Sequence, residues 1–231
     1  MNASQELFEK LQSFRTSPPR IGSKRAFLDY CRTVLGGVEQ IHFDYKEKAD
    51  PSKADLDDPD KQNLAKAVSG FANGAGGVLI WGVEDRTTAE KPIQDVASFI
   101  DKAMQLVHQA TDPSVLGVSG DYIPTASKAK DGFGLIHIPE SDLPPHRVIL
   151  NAAKLKNHYY TRSGSSFTIA THAQLEDMFG RRPRPNLEVG YELNHAQRLS
   201  DNVYVNASLD LVNNGRGIAK CPFLSIEAEA P

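Results

Sequence analysis

Apolar residues recur every three or four positions in several stretches of the chain, which is the spacing of one face of an α-helix. The first such stretch, residues 3–15, repeats Leu7, Phe8, Leu11 and Phe14. The same spacing predicts further helices over residues 24–35, 58–71, 92–110 and 171–179. Prolines and glycines flank these stretches, as expected of residues that begin or end helices.

Between the helices, apolar and polar residues alternate, which is typical of a β-strand with one buried face. Residues 39–46 alternate Ile41, Phe43 and Tyr45 with polar residues, so we expect a strand with one face in solvent. Further strands are predicted over residues 77–83, 115–124, 133–138, 147–151 and 156–162. We expect a hairpin loop at 125–132 and pairing between the last two strands.

The composition and the residue pattern of the sequence change after residue 180. Residues 180–189 are rich in Gly, Pro and Arg and are typical of a linker. The alternation beyond them predicts three strands, at 187–194, 202–212 and 221–229. Three strands make a poor independent domain, so we interpret them as a truncated β-sandwich or as strands that pack on the first domain. This divides the chain into an N-terminal helix (1–22), a domain (23–180) and a linker plus strands (181–231).

Bulk composition narrows the function classes only slightly. The 231 residues are 40% hydrophobic and 24% charged, which fits a soluble globular protein. The net charge of −3 does not by itself point to nucleic acid. Two cysteines exclude a disulfide scaffold, and neither a signal peptide nor an apolar run of 18 residues is present. We expect a cytoplasmic protein of bacterial type.

Charge is unevenly distributed along the chain. Residues 39–101 hold 13 acidic and 7 basic residues, whereas residues 145–184 hold 7 basic and 2 acidic residues. The basic stretch contains HYYTRSGSS, residues 158–166, whose aromatic rings can stack on bases and whose Arg and hydroxyls can contact phosphates. The alternative is a β-hairpin whose Tyr rings are core and whose Arg meets a carboxylate. The sequence leaves both interpretations open.

The glycines of FANGAGG, residues 71–77, raise the question of a phosphate-binding loop. Such a loop follows a strand and precedes a helix, so that helix N-terminal N–H groups face the anion. Here the order is helix, glycines, strand, which would place an anion at a helix C-terminus and is unfavourable. We therefore predict a helix end followed by a sharp turn into a central strand.

Acidic residues are the candidates for metal chemistry. Glu39 and Asp44 lie on one predicted strand, and Glu84 and Asp85 follow the strand expected beside it. If these carboxylates converge at one end of the sheet, they could hold Mg²⁺ or Mn²⁺ and activate water for phosphodiester cleavage. The alternative is that they are solvated strand ends.

Three segments in order, EQIHFDYKE, LAKAVSGFANGAGGVLIWGVEDR and PPHR…HYYTRSGSSF, together resemble the Schlafen AlbA-like domain family. The resemblance covers roughly residues 24–180. It implies an α/β (α+β) fold with a mixed sheet flanked by helices, followed here by a short all-β C-terminal segment. It also implies nucleic-acid binding, to RNA or tRNA in the animal members, some of which are metal-dependent endoribonucleases that use three acids.

The resemblance assigns expected roles to individual residues. The catalytic acids and metal ligands would be Glu39, Asp44 and either Glu84 or Asp85, although the nucleases have the longer Glu where this chain has Asp44. Residues of the FANGAGG segment would serve the fold. The expected nucleic-acid contacts, from the resemblance and from the basic stretch together, are Lys46, Arg147, Lys154, Lys156, Tyr160, Arg162 and Ser165.

Three hypotheses about function follow. The leading one is a domain that binds nucleic acid, RNA or tRNA rather than DNA, through a basic and aromatic surface. The second is an endoribonuclease dependent on Mg²⁺ or Mn²⁺. The third is a protein-interaction module, which an unpaired strand edge in 187–231 would favour. A groove like that of the two-lobed nucleases would require a homodimer.

Overall fold

The structure, a computed structural model, divides the chain into two compact units, Met1–Gly180 and Arg181–Pro231. Each unit has its own secondary structure. The structure describes residues 3–16, 23–33, 35, 41–84, 87–126, 129–150, 157–180, 185–194, 197–199, 202–214, 217–220 and 222–225.

Five helices form in the described part of the first unit, close to the ranges that the spacing of apolar residues predicts. They are α1 (Ala3–Thr16), α2 (Ser23–Thr33), α3 (Asp58–Ala72), α4 (Val96–Val107) and α5 (His172–Gly180). Helix α3 begins with Pro59 in its first turn, and the Asp60 carboxylate accepts the N–H of Asp57 at 3.1 Å. Helix α4 begins later than predicted, because Ile93 instead pairs with Gly132 as an isolated β-bridge.

The first unit is built on a four-stranded mixed sheet in the order β1 (Phe43–Lys46), β2 (Gly77–Trp81), β5 (Gly132–Ile138), β4 (Ser119–Pro124). Strands β1 and β2 are parallel and are connected through α3, whereas the β2–β5 and β5–β4 pairs are antiparallel. Short pairs complete the unit: β3 (Thr111–Asp112) with β6 (Arg147–Val148), and β7 (Tyr160–Ser163) with β8 (Ser166–Ile169).

Both faces of the sheet are covered by helices. On one face α3 and α4 pack against β2 and β5, with Trp81 and Phe99 in an edge-on ring contact. On the other face α1 packs against β2, β4 and β5 with α2 beside it, and the rings of Phe27 and Phe133 make a tilted contact. The mixed α+β class and helix-flanked sheet expected from the sequence are therefore confirmed.

The expectation of a solvent-exposed face on β1 is wrong. Phe43, Asp44 and Tyr45 are all buried, because Phe43 and Tyr45 pack in the apolar cluster with α1 and α2, while Arg162 of β7 covers Asp44 on the opposite face. The strand begins at Phe43, and residues 39 and 40 of the predicted strand lie outside the described residues.

The pairing expected between 147–151 and 156–162 forms only in part. An isolated bridge joins Arg147 and Tyr159, while β6 takes β3 as its ladder partner and β7 takes β8. The hairpin loop predicted at 125–132 does connect two antiparallel strands, β4 and β5.

The second unit contains two antiparallel ribbons. Strand β9 (Leu187–Leu193) pairs with β12 (Ala207–Asn213), and β10 (Gln197–Leu199) pairs with β11 (Asn202–Tyr204). Residues 222–225, within the predicted strand 221–229, are not in a strand, and 226–231 lie outside the described residues. In the described part of the chain, no helix combines the length and apolar composition that a membrane crossing requires.

Candidate nucleic-acid interface

The side chain of Asn73, just after α3, joins the second and third family-like segments. Its amide nitrogen donates to the carbonyl oxygens of Tyr160 at 2.9 Å and His146 at 3.2 Å. Its amide oxygen accepts the backbone N–H of His146 at 2.7 Å. The Ser69 hydroxyl, one turn earlier, donates to the His146 carbonyl at 2.8 Å and accepts the N–H of Tyr160 at 3.0 Å. These buried bonds hold β6 and β7 against the end of α3.

The glycines of FANGAGG allow close packing rather than phosphate binding. A Cβ on Gly77 would lie 2.2 Å from the Phe71 ring, and a Cβ on Gly70 would lie 2.3 Å from the Phe167 ring. Gly76 has φ +73°, a left-handed conformation that glycine adopts without steric cost. The prediction of a helix end and sharp turn therefore agrees with the geometry: α3 ends at Ala72 and β2 begins at Gly77.

Arg162 on β7 is buried and bound to β1. Its Nη1 donates to Asp44 Oδ1 at 3.1 Å, and its Nη2 donates to the carbonyl oxygen of Phe43 at 2.8 Å. The guanidinium lies over the rings of Phe167 at 4.4 Å and Phe71 at 5.4 Å. The Arg162 and Asp44 side chains are each 2% exposed. Of the two interpretations of the basic hairpin, the geometry therefore matches the one in which the Arg meets a carboxylate.

Asp44 is shared by two cations. Lys46 Nζ lies 2.6 Å from Asp44 Oδ2, on the opposite oxygen from Arg162, and its side chain is 23% exposed. Burial raises the pKa of the Asp44 carboxyl above its ordinary value, and the charges of Lys46 and Arg162 oppose that rise. We call Arg162, Asp44 and Lys46 the β1 clamp.

The β1 clamp also closes an edge of the sheet. Strand β1 is an edge strand, and its carbonyl oxygens at His42 and Lys46 bond to β2. The carbonyls of Phe43 and Tyr45, which alternate with them, accept from Arg162 Nη2 and from Lys46 Nζ at 3.0 Å. Charged side chains thus occupy acceptors that another strand could otherwise pair with.

The turn between β7 and β8 presents hydroxyl groups to solvent. Ser163, Gly164, Ser165 and Ser166 are all exposed, and Gly164 has φ +55°. Ser163 pairs with Ser166 in the ladder, so the turn is short and its strands are held in register. We call residues 163–166 the serine tip; it begins one residue after Arg162.

The other residues predicted to contact nucleic acid differ in their exposure to solvent. Tyr160 is buried against Ala65 and Val148, and burial raises the pKa of its hydroxyl, so its ring is part of the core. Arg147 is partly exposed and its Nη2 lies 3.1 Å from Asp112 Oδ2. Lys154 and Lys156 lie outside the described residues.

Of the four acids predicted for the metal cluster, the structure describes Asp44 and Glu84. Asp44 is level with Leu79 in the parallel ladder, so Glu84 lies five positions further along, on the order of 15 Å in an extended chain. Glu84 instead accepts a hydrogen bond from the Thr87 hydroxyl. Among the described residues, no three His, Cys, Asp or Glu side chains come close enough together to hold a metal. Two of the residues predicted for the metal site, Glu39 and Asp85, lie outside the described part of the chain, so the metal site stays a prediction.

Sequence reasoning missed the β1 clamp, and one signal could have revealed it. Asp44 and Lys46 are separated by one residue, so they project from the same face of a strand. Asp44 also lies between Phe43 and Tyr45, where a lone carboxylate would be buried and would require cations. That pattern, together with an Arg in a distant strand, indicates an internal ion pair as readily as a metal ligand.

Comparison with known proteins supports the assignment made from the motifs. The crystal structure of the DIP2311 protein from Corynebacterium diphtheriae is 16% identical to this chain with a TM-score of 0.46. The match covers 76% of this chain but 32% of that protein. No curated protein matches the chain. The family model described as Schlafen, AlbA_2 matches residues 39–171, more than half of the sequence. The chain therefore belongs to the Schlafen, AlbA_2 family.

Proposed function

We propose that this chain binds nucleic acid, RNA in preference to DNA, through the serine tip and Lys46. Family membership gives the class of ligand, since the resemblance to Schlafen AlbA-like domains implies nucleic-acid binding. The main support for this surface is that the serine tip is exposed while the neighbouring Arg162, which anchors it, is buried.

The proposed chemistry is that of a backbone contact. Serine hydroxyls both donate and accept hydrogen bonds, so they can contact phosphate oxygens or a ribose 2′-hydroxyl. Lys46 is the partly exposed cation of the clamp, and it can exchange Asp44 for a phosphate while Arg162 remains on the carboxylate. Arg147 is partly exposed and can add a further cation, with Lys154 and Lys156 as additional predicted contacts.

Arg162 has a positioning role in this proposal. Its bonds to Asp44 and to the Phe43 carbonyl fix β7 beside β1, and this sets the place of the serine tip relative to Lys46. Its own guanidinium is buried, so its contribution to binding is indirect.

The test compares surface variants in an RNA-binding assay. Ser163→Ala with Ser165→Ala, combined with Lys46→Gln, should weaken binding of labelled single-stranded RNA about tenfold or more. Thermal unfolding is measured alongside, because Lys46 also pairs with the buried Asp44, and binding is compared at a temperature where every variant is folded. The control is Thr168→Ala with Gln174→Ala and Lys130→Gln, which removes a similar set of exposed groups elsewhere in the first unit. Equal affinity for both variants would contradict the proposed surface. Parallel reactions with Mn²⁺ and with chelator test the prediction of metal-dependent cleavage.

A second function, protein interaction, is supported by the second unit alone. In the β9–β12 ribbon, Val189 pairs with Leu211 and Tyr191 pairs with Leu209, so these apolar side chains share one face. All four are exposed, Tyr191 to 75%. A contiguous exposed apolar patch marks an interaction site in many proteins. Concentration-dependent association that Tyr191→Lys abolishes would support this function, and a monomer at all concentrations would count against self-association.

A further inference from the structure

A groove on the outer surface of α2 concentrates cations that the proposed interface does not use. It encloses about 410 Å³ between α2 and the segment that ends at Lys91, and it is lined by Lys24, Arg25, Leu28, Asp29, Arg32 and Glu90. Leu28 forms an apolar part of the wall and the other five residues are charged. Three cations against two acids leave the groove positive in a chain whose net charge is −3.

The cations of the groove are accessible. The Arg25 side chain is 89% exposed, and its Nε lies 3.8 Å from Asp29 Oδ2, which is a loose contact. Arg32 is exposed and its Nη2 reaches the carbonyl oxygen of Thr88 at 3.4 Å. Ion pairs this exposed contribute little free energy, so the cations can leave their carboxylates for a phosphate at small cost.

The spacing of the two arginines suits a polyanion. Arg25 and Arg32 are seven residues apart, so they lie on one face of α2 about 10 Å apart along its axis. Because the two side chains are this far apart, each can contact a different phosphate of one strand, which gives two phosphate contacts.

A chain of contacts links the groove to the proposed interface. Lys24 pairs with Glu90, and the next residue, Lys91, lies 3.5 Å from Glu47. Glu47 directly follows Lys46 of the β1 clamp. Exposed or partly exposed cations therefore recur from the clamp, across the end of β1, to α2.

We propose that the α2 groove is a second phosphate-binding site for the same nucleic-acid strand, which runs from the serine tip past Lys46 and Lys91 to Arg25 and Arg32. This inference rests on the proposed function, since it extends that binding surface to helix α2. The contacts are with phosphates, so they strengthen binding to every sequence alike.

The test is the salt dependence of binding to labelled single-stranded RNA, measured for the full chain and for Arg25→Gln with Arg32→Gln. Each lost phosphate contact to a single strand reduces the slope of log K against log salt by about 0.7, so the double variant should lose about 1.4. The charge-matched control is Lys61→Gln with Lys102→Gln, whose side chains line a groove of about 490 Å³ formed by α3 and α4. Thermal unfolding of each variant serves as the check that it is folded.

The outcomes separate this inference from the proposed function. A smaller slope for the α2 variant, with the control at the wild-type slope, supports the α2 site. If the α2 variant keeps the wild-type slope, or if the control loses as much slope as the α2 variant, the α2 site is overturned. The proposed function still stands in that case, provided that the wild-type chain binds RNA. Absence of RNA binding by the wild-type chain overturns both.

Discussion

At the scale of single residues, the family-like positions act mainly as internal contacts. Asn73 bonds to two distant backbone segments, and Arg162 joins β7 to β1 through Asp44. A buried ion pair of this kind is costly to break, because removing one partner leaves an uncompensated charge in the core.

Arg162→Gln should therefore destabilise the first unit strongly. The Asp44 carboxylate would retain Lys46 but lose its buried partner, and the Phe43 carbonyl oxygen would lose its Arg162 donor. We expect the free energy of unfolding to fall by about 3 kcal/mol, measured by urea denaturation. Arg147→Gln is the control: it breaks an exposed pair with Asp112 and should cost less than about 1 kcal/mol. Similar losses for the two variants would contradict the role of the buried pair.

Asn73→Ala tests the connection between α3 and the two distant segments. The substitution leaves the carbonyls of His146 and Tyr160 and the N–H of His146 without this partner in a buried site. A loss of about 2 to 4 kcal/mol in unfolding free energy is expected. Asn63→Ala, at a partly buried position of the same helix, should change stability by much less. A near-neutral Asn73→Ala would show that these bonds contribute little.

At the scale of elements, periodicity predicts helices better than it predicts the strands of this sheet. In α3, the apolar residues that recur at helical spacing are Leu64, Ala67, Val68 and Phe71, and all four lie in the core. For β1, alternation gave the wrong burial of Asp44, because a local pattern cannot show that Arg162 of a distant strand covers that face. The partner of Arg162 is 118 residues away, so no local spacing reveals it.

Both edges of the central sheet are occupied by charged side chains. The clamp covers β1, and on the opposite edge strand β4 the Asp121 carboxylate accepts the N–H of Tyr122 at 2.8 Å. Gln12 and Arg15 of α1 bind the same carboxylate. This arrangement discourages strand addition to the first unit and contrasts with the exposed apolar face of β9 and β12.

The packing of the β7–β8 hairpin on α3 can be tested through Gly70. A methyl group there would meet the Phe167 ring at 2.3 Å, so Gly70→Ala should destabilise by about 1 to 3 kcal/mol despite the better helix propensity of Ala. In a Phe167→Ala background the same change should become neutral or stabilising. The double-mutant cycle is measured by urea unfolding, with Gly180→Ala, which meets nothing within 4 Å, as control. Additive effects would contradict the contact.

At the scale of the whole molecule, buried histidines couple stability to pH. Burial lowers the pKa of His137 and of His146 below the ordinary value of 6.5. In the unfolded chain both rings take up protons near pH 6.5, whereas in the folded protein they do so only at lower pH. The unfolded state thus binds more protons below pH 6.5, and stability is lost as the pH falls through that value.

We expect the urea midpoint of the first unit to fall between pH 7.5 and pH 5.5. His137→Gln removes one of the two buried rings, so its midpoint should fall less over the same interval. His172→Gln, at an exposed position, should follow the wild type. An equal pH dependence for His137→Gln and the wild type would exclude His137 as a source of the effect.

The proposed nucleic-acid-binding surface, the serine tip with Lys46, is exposed and is positioned by the buried pair of Arg162 and Asp44. The most direct test of that central claim is the affinity of the wild-type chain for labelled single-stranded RNA between about 50 and 200 mM salt. We expect the affinity to fall steeply with salt, with a slope of log K against log salt of about −2 or steeper, corresponding to three or more phosphate contacts. Binding that does not change with salt, or no binding at the lowest salt concentration, would contradict it.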